Sequence, residues 1–152
     1  MTYSPRKPLL VPFLDLHQQY LSIKEEIDFT IAEVLKTSAF VRGPYVERFE
    51  MDFAKSQDAA YCVSCGNGTD ALFIAMKALG IQAGDEVIVP AMSWISTSET
   101  VTQAGGKVVF CDIDPESYTI DPSKILEKVT YRTVGIIPVP LYGYPADMNA
   151  IV

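Results

Sequence analysis

The amino-acid sequence predicts an α/β fold in which a mostly parallel sheet is flanked by helices. From residue 59 onward, short apolar segments of strand length alternate with longer segments whose apolar residues recur at helical spacing. Hydrophobic residues make up 49% of the chain, which suits a sheet whose strands are buried on both faces. Because strands alternate with helices, we expect right-handed crossover connections and parallel strands.

The first 58 residues are predicted to form a separate N-terminal helical segment, ahead of a domain that comprises residues 59–152. Apolar residues in its first helix recur at three- and four-residue steps and so form one stripe: Tyr20, Ile23, Ile27, Ile31 and Val34. A second helix begins at Gly43-Pro44, since proline is favoured at the first helical position. Its predicted buried face consists of Val46, Phe49 and Phe53.

Four strands are predicted in the domain, at residues 59–64, 86–90, 107–113 and 134–141. A helix follows the glycine-rich segment 66–69 and ends at Gly80. Ser96 and Glu99 have the spacing of a capping box for the next helix, and Asp121-Pro122 begins another. A last helix begins near Ala146. We therefore expect residues 59–152 to be the first part of a larger domain that is incomplete at its carboxyl end.

Charge and hydropathy argue against two classes of partner. The formal net charge of −7 disfavours nucleic acid, whose binding needs clustered Lys and Arg. The most apolar late segment, 134–141, contains two prolines and is too short to cross a bilayer. Pro8 and Pro12 interrupt the N-terminal apolar run that a signal peptide would need. A cytoplasmic protein that binds neither nucleic acid nor membrane is predicted.

No metal site is predicted. Cys62 and Cys65 have C-x-x-C spacing, but zinc needs further ligands, and the chain offers besides them only Cys111 and one histidine. We interpret the three cysteines as buried thiols of strands. Asp112 and Asp114 could serve as metal ligands or as an acid/base pair, but the proline that follows favours a turn.

The glycine-rich segment Gly66-Asn67-Gly68-Thr69 is the strongest functional pattern. It connects a predicted strand directly to a predicted helix. Its glycines allow close approach of a ligand to the backbone, and the first N–H groups of a helix have no partner within the helix. Together with the helix dipole these groups bind anions, most often phosphate. The Thr69 hydroxyl could add a donor. A tight turn with Thr69 as N-cap is the structural alternative.

The residues around this segment discriminate among three kinds of phosphate ligand. Residues 66–71 also satisfy G-x-G-x-x-A, but a dinucleotide-binding fold needs an acidic residue after the next strand, where this chain has Val89-Pro90-Ala91-Met92-Ser93-Trp94. The chain contains no G-x-x-x-x-G-K-S/T pattern of a nucleotide-binding P-loop. Trp94 instead provides an aromatic ring after the second strand, which suits a flat heteroaromatic cofactor with a phosphate.

Five segments in this order resemble one family, the DegT/DnrJ/EryC1/StrS sugar aminotransferases. They are Val11-Pro12-Phe13-Leu14-Asp15-Leu16, Gly43-Pro44-Tyr45-Val46-Glu47-Arg48-Phe49-Glu50, Gly66-Asn67-Gly68-Thr69-Asp70-Ala71-Leu72, Gly84-Asp85-Glu86-Val87-Ile88-Val89-Pro90 and Leu141-Tyr142-Gly143-Tyr144-Pro145-Ala146-Asp147-Met148. The resemblance covers nearly the whole chain. It implies a fold-type I pyridoxal-phosphate enzyme, of which this chain is the N-terminal portion.

The resemblance also implies roles for three residues. Gly68 and Thr69 hold the phosphate of pyridoxal 5'-phosphate, and Trp94 stacks on its pyridine ring. The Asp that pairs with the pyridine nitrogen and the Schiff-base lysine are both implied to lie beyond residue 152. No catalytic residue is therefore expected within this chain, and the chain alone is expected to be inactive. Pro140 replaces a histidine of the family pattern.

The implied reaction moves an amino group, from glutamate as the donor, to a keto group of a nucleotide-linked sugar. The loop and the N-terminal segment look closer to members that act on 3-keto sugars, and a homodimer is implied for the full-length parent. Three alternatives stay open. One is the dehydratase branch of the same family, which has a histidine where the lysine lies. The others are a non-catalytic binding or regulatory fragment and a dinucleotide-binding domain of the NAD type.

Overall fold

The computed structural model describes residues 11–152 and divides after Ser64 into two compact units. The domain boundary between residues 58 and 59 stays a prediction, and the interruption of the apolar run at Pro8 lies outside the described residues. Between residues 11 and 64, the first unit contains three helices: α1 (Leu16–Ser22), α2 (Lys24–Thr37) and α3 (Pro44–Ser56).

Local signals determine where these helices begin and end. The Asp15 carboxylate accepts the N–H of Gln18 at 3.0 Å and caps α1. Helix α2 ends at Ser38, which has a left-handed φ of 53°. Gly43, with a φ of 113°, directs the chain into α3, and Pro44 occupies the first helical position as predicted.

The apolar faces of these helices are largely exposed within this chain. Every side chain of α1 and α2 is at least partly exposed, including Ile31 at 54%. In α3 the buried residue is Ala54, whereas Phe49 and Phe53 are 53% and 47% exposed and stack on each other with ring centroids 5.6 Å apart. The predicted burial of Phe49 and Phe53 is therefore wrong.

Residues 59–64 do not form the predicted strand. The apolar side chains of Tyr61 and Val63 are 88% and 80% exposed, so the hydrophobic pattern of this segment is not used to pack it into a sheet. Its end is instead bound to α3: the Glu50 carboxylate accepts the Ser64 N–H at 2.8 Å and also the Ser64 hydroxyl. These hydrogen bonds hold the pKa of Glu50 below its ordinary value, the hydroxyl contributing most.

The second unit alternates helices with strands. Its elements are α4 (Gly68–Ala78), β1 (Glu86–Pro90), α5 (Ser96–Ala104), β2 (Lys107–Cys111), α6 (Pro122–Ile125), a 3₁₀ turn (Leu126–Lys128), β3 (Thr133–Ile136), a second 3₁₀ turn (Leu141–Gly143) and α7 (Met148–Ile151). The three strands form a parallel sheet in the order β2-β1-β3, with Glu86 opposite Lys107 and Pro90 opposite Cys111. The predicted α/β fold with a parallel sheet is confirmed.

Both faces of the central strand are covered. On one face, Val87 and Val89 pack with residues of α4 and α5, and on the other Ile88 packs with Cys111 and with Ile120. All five residues of β1 are buried. Because side chains alternate along a strand, this continuous apolar run supplies two separate hydrophobic clusters.

Strands β2 and β3 are shorter than predicted. After Cys111 the chain turns, and Ile113 forms an isolated antiparallel bridge with Ile120. After Ile136 the chain reaches two prolines, which cannot donate a ladder hydrogen bond.

The sequence predicted that all three thiols are buried, and this is correct for Cys111 alone. Cys62 is half-buried and Cys65 is exposed. Within residues 11–152, none of the helices has the length and hydropathy to span a membrane.

Candidate functional site

The first turn of α4 leaves two backbone N–H groups available. Asn67 is the N-cap: its side-chain oxygen accepts the Asp70 N–H at 3.0 Å, and its carbonyl accepts the Ala71 N–H at 3.1 Å. For the N–H groups of Gly68 and Thr69, residues 11–152 provide no acceptor. Asn67 thus occupies the capping position that the sequence suggested for Thr69, and the first-turn N–H groups of Gly68 and Thr69 have no acceptor within the described residues.

The two glycines of this segment have different environments. A Cβ atom added to Gly68 would meet no atom of the described chain within 4 Å, so this position faces open space. A Cβ atom on Gly66 would lie 2.9 Å from the Asp70 carboxylate, which itself accepts a hydrogen bond from the Asn67 amide at 2.9 Å. A side chain at Gly66 would therefore displace the exposed Asp70 carboxylate, whereas the absence of a side chain at Gly68 leaves room for a ligand.

The N-terminus of α5 meets that of α4. The hydroxyl oxygens of Thr69 and Ser96 lie 2.7 Å apart, and Ser96 donates to the Glu99 carboxylate at 3.2 Å. The predicted capping box is wrong, because Ile95 occupies the cap position and its carbonyl accepts the Glu99 N–H. Two helix N-termini thus lie side by side, and both dipoles favour negative charge there.

Trp94 lies between the end of β1 and the start of α5. Its side chain is 75% exposed and lines a cavity of about 230 Å³ together with Pro90, Ser93 and Phe110. The Trp94 carbonyl accepts the Thr97 N–H at 3.0 Å, and this bond fixes the backbone that carries the ring. An exposed indole held in this way offers a flat apolar surface to a ligand.

Asp112 and Asp114, which the sequence offered as metal ligands or as an acid/base pair, have structural partners, and so does Glu86 in β1. Asp114 accepts the N–H groups of Glu116 and Ser117 at 3.0 and 2.8 Å, which confirms the predicted turn. The Lys124 ammonium lies 3.0 Å from Asp112, and this hydrogen bond holds the pKa of Asp112 below its ordinary value. Lys107 pairs with Glu86 at 2.8 Å.

Sequence reasoning missed the contact between Thr69 and Ser96. Hydroxyl residues cluster at positions 93, 96, 97, 98 and 100, and that density is the signal that could have drawn attention to this segment. The hydroxyls here divide between local bonds, such as the one from Thr100 to the Ser96 carbonyl at 2.7 Å, and the long-range contact to α4.

These features define a class: a parallel α/β unit that offers a helix N-terminus for an anionic group and an exposed aromatic ring beyond the central strand. The chain belongs to the DegT/DnrJ/EryC1/StrS aminotransferase family, whose model matches residues 21–152. The family resemblance read from the sequence is thereby confirmed.

Relatives and solved structures agree with this membership. The chain is 46% identical to a UDP-2-acetamido-2-deoxy-3-oxo-D-glucuronate aminotransferase of Pseudomonas aeruginosa over 93% of this chain and 40% of the relative. It is also 46% identical to a "pleiotropic regulatory protein" of Geobacillus stearothermophilus, over 93% of this chain and 38% of that protein. The crystal structure of NtdA from Bacillus subtilis with bound cofactor PMP matches with a TM-score of 0.89 at 41% identity, over 96% of this chain and 34% of that one. The chain thus spans between about a third and two fifths of the length of these proteins.

The dinucleotide-binding alternative has no support in the fold. That fold requires a sheet strand leading into the glycine-rich turn, whereas residues 59–65 form no strand in the described chain. Its second requirement, a carboxylate directly after the next strand, is not met by the sequence between Pro90 and Trp94.

Proposed function

We propose that this chain is part of a pyridoxal-phosphate-dependent aminotransferase that moves an amino group from glutamate to a keto group of a nucleotide-linked sugar. The observation that carries the proposal is the pair of available N–H groups at Gly68 and Thr69 in a chain of this family. A 3-keto sugar is the preferred acceptor, and the name of the Pseudomonas relative supports this choice. The activity belongs to the complete protein, since this chain spans about two fifths of its relatives.

The residues of the site fit the phosphate of the cofactor. The Gly68 and Thr69 N–H groups point out of the first turn of a helix of 11 residues, and a phosphate there would accept both. The missing side chain at Gly68 lets the phosphate oxygens approach the backbone. Hydrogen bonds to a charged group are worth about 1.5–3 kcal/mol each, so two of them make a substantial part of cofactor affinity.

Trp94 fits the ring of the cofactor. In the proposed site, its exposed indole packs against the pyridine ring and shields one face of it from water. When bound, pyridoxal phosphate supplies an electron sink that allows an amino group to be removed from one substrate and given to another. The residues of this chain bind and orient it, and the resemblance assigns the Schiff-base lysine to residues beyond 152.

A homodimer in the cytoplasm is part of the same proposal. Large apolar side chains on one face of α2, Ile31 at 54% and Leu35 at 60% exposed, form a surface of the kind that marks an interface. The three thiols are unbonded, as is usual in a reducing compartment.

Titration of the complete protein with pyridoxamine 5'-phosphate tests the proposal directly. We expect saturable binding, and much weaker binding of pyridoxamine, which lacks the phosphate. Turnover is then assayed with glutamate and a nucleotide-linked 3-keto sugar. Equal affinity for the two pyridoxamines would contradict a phosphate site at α4.

A non-catalytic role is the second candidate, and the name of the Geobacillus relative favours it. A regulatory protein built on this fold would bind the cofactor without transferring amino groups. Binding of pyridoxamine 5'-phosphate together with no release of amino sugar from any nucleotide-linked keto sugar would support this candidate over the enzyme.

A further inference from the structure

Three side chains from two helices form a continuous hydrogen-bonded relay beside the proposed phosphate site. Thr69 in the first turn of α4 contacts Ser96 at 2.7 Å, and Ser96 contacts Glu99 at 3.2 Å. Ser96 is only 3% exposed, so its hydroxyl is enclosed by protein. The relay therefore connects a carboxylate of α5 to the hydroxyl next to the available N–H groups of α4.

The carboxylate determines the direction of the relay. An ionised carboxylate can only accept hydrogen bonds, and a serine hydroxyl has a single proton to donate. If Ser96 turned this proton toward Thr69, its lone pairs would face the Glu99 carboxylate oxygen at 3.2 Å without a hydrogen between them. Ser96 therefore donates to Glu99, and Thr69 must supply the proton of the 2.7 Å contact.

This direction matters for a bound anion. A phosphate at the first turn of α4 is stabilised by donors, yet the Thr69 proton is already engaged with Ser96. We propose, building on the pyridoxal-phosphate site proposed above, that Glu99 is a positioning residue that competes through Ser96 with the ligand phosphate for the hydroxyl proton of Thr69. In this arrangement the backbone N–H groups hold the phosphate, and Glu99 limits how tightly it is held.

A simpler role for Glu99 makes different predictions. Glu99 lies in the first turn of α5, where a negative charge stabilises a helix through its dipole. If that were its whole role, replacing Glu99 would lower thermal stability and leave the dependence of phosphate binding on the Thr69 hydroxyl unchanged.

A double-mutant cycle on the complete protein separates the two roles. The variants are Glu99→Gln, Thr69→Val and the combination, and the probe is pyridoxamine 5'-phosphate, whose amine replaces the aldehyde and so cannot bond to a lysine. A glutamine amide can donate to Ser96, which lets Ser96 donate to Thr69 and Thr69 to the phosphate. Glu99→Gln should therefore bind the probe about tenfold tighter, the range of one charge-assisted hydrogen bond.

If the relay exists, the effects of Glu99→Gln and Thr69→Val on affinity for the probe are not additive. Thr69→Val should weaken binding by about twofold or less in the wild type, and by about tenfold in the Glu99→Gln background. The ³¹P resonance of the bound probe should shift with Glu99→Gln when Thr69 is present and stay in place when Val replaces it. Ser96→Ala interrupts the relay but keeps the charge of Glu99, so it too should tighten binding.

Each remaining outcome is decisive. If Glu99→Gln changes affinity by the same factor with and without the Thr69 hydroxyl, Glu99 acts only as a charge and the relay is refuted. Unchanged or weaker binding in Glu99→Gln refutes it as well. If the wild type does not bind the probe at all, the proposed function fails first. Pyridoxamine, which lacks the phosphate group, should bind to all variants with the same affinity.

Discussion

Gly68→Ala separates a ligand site from a simple turn, because the two interpretations predict opposite effects. Gly68 is the first residue of α4 and does not have a left-handed φ. A methyl group there would meet no atom of the described chain within 4 Å. Replacing such a glycine by alanine reduces the freedom of the unfolded chain and stabilises proteins by about 0.4–1 kcal/mol. Without ligand, the variant should unfold at the same temperature as the wild type or a few degrees higher.

With ligand, the same methyl group should be harmful. It occupies the space through which a phosphate reaches the N–H groups of Gly68 and Thr69. Loss of one charge-assisted hydrogen bond costs about 1.5–3 kcal/mol, and about 1.4 kcal/mol is a factor of ten in affinity. We therefore expect pyridoxamine 5'-phosphate to bind Gly68→Ala about tenfold more weakly or worse, by calorimetric titration of the complete protein.

Gly66→Ala is the matched control. Its Cβ would approach the Asp70 carboxylate to 2.9 Å, so this exposed side chain would have to shift and its bond with Asn67 would weaken. We therefore expect a small loss of stability even without ligand. The diagnostic pattern is higher stability with lower affinity in Gly68→Ala, and lower stability in Gly66→Ala. Wild-type affinity for the phosphate probe in a stably folded Gly68→Ala protein would refute the phosphate site.

Three further predictions concern other parts of the second unit. Trp94→Ala should reduce affinity for pyridoxamine 5'-phosphate severalfold, since aromatic stacking contributes about 0.5–1.5 kcal/mol, while thermal stability changes little because the ring is 75% exposed; unchanged affinity with lost stability would place this ring in packing instead. The Lys107 hydrogen bond holds the pKa of Glu86 below its ordinary value of 4.5, so the ionised Glu86 stabilises the fold above that pH. In urea titrations, the stability difference between wild type and Glu86→Gln should therefore shrink as the pH falls through the lowered pKa. Gly106→Ala would place a Cβ 2.8 Å from Ile81 and should destabilise by about 1–3 kcal/mol in the same assay, whereas a neutral effect would mean that the core can yield there.

The sequence predicted elements well where local signals and burial agree. Strand β1 has the predicted bounds, because its apolar run follows a glycine turn, ends at Pro90 and is buried on both faces. The pattern at 59–64 is equally apolar, yet it forms no strand, since a hydrophobic pattern does not specify a neighbouring strand with which to pair. Gly68 and Trp94 could be predicted as site residues from local sequence as well. Each follows an apolar segment and precedes a helix, which is where ligands bind in parallel α/β units.

The relay at Thr69 could not be predicted in this way. The Ser-x-x-Glu spacing predicted a capping box, in which each side chain bonds a backbone N–H group, whereas the two side chains bond each other at 3.2 Å. Whether that bond caps a helix or directs a neighbouring hydroxyl depends on where the helix begins, and here the helix has Ile95 rather than Ser96 at the cap. The partner of Ser96 is 27 residues away along the chain and comes close only because α4 and α5 pack on the same face of the sheet. Local spacing thus indicated the two residues but not the bond that they form, and the packing of two helices places that bond beside the proposed phosphate site. For this reason a test of Glu99 must measure its coupling to Thr69. A measurement of stability alone would report the effect of Glu99 on α5 and not its effect on the Thr69 hydroxyl.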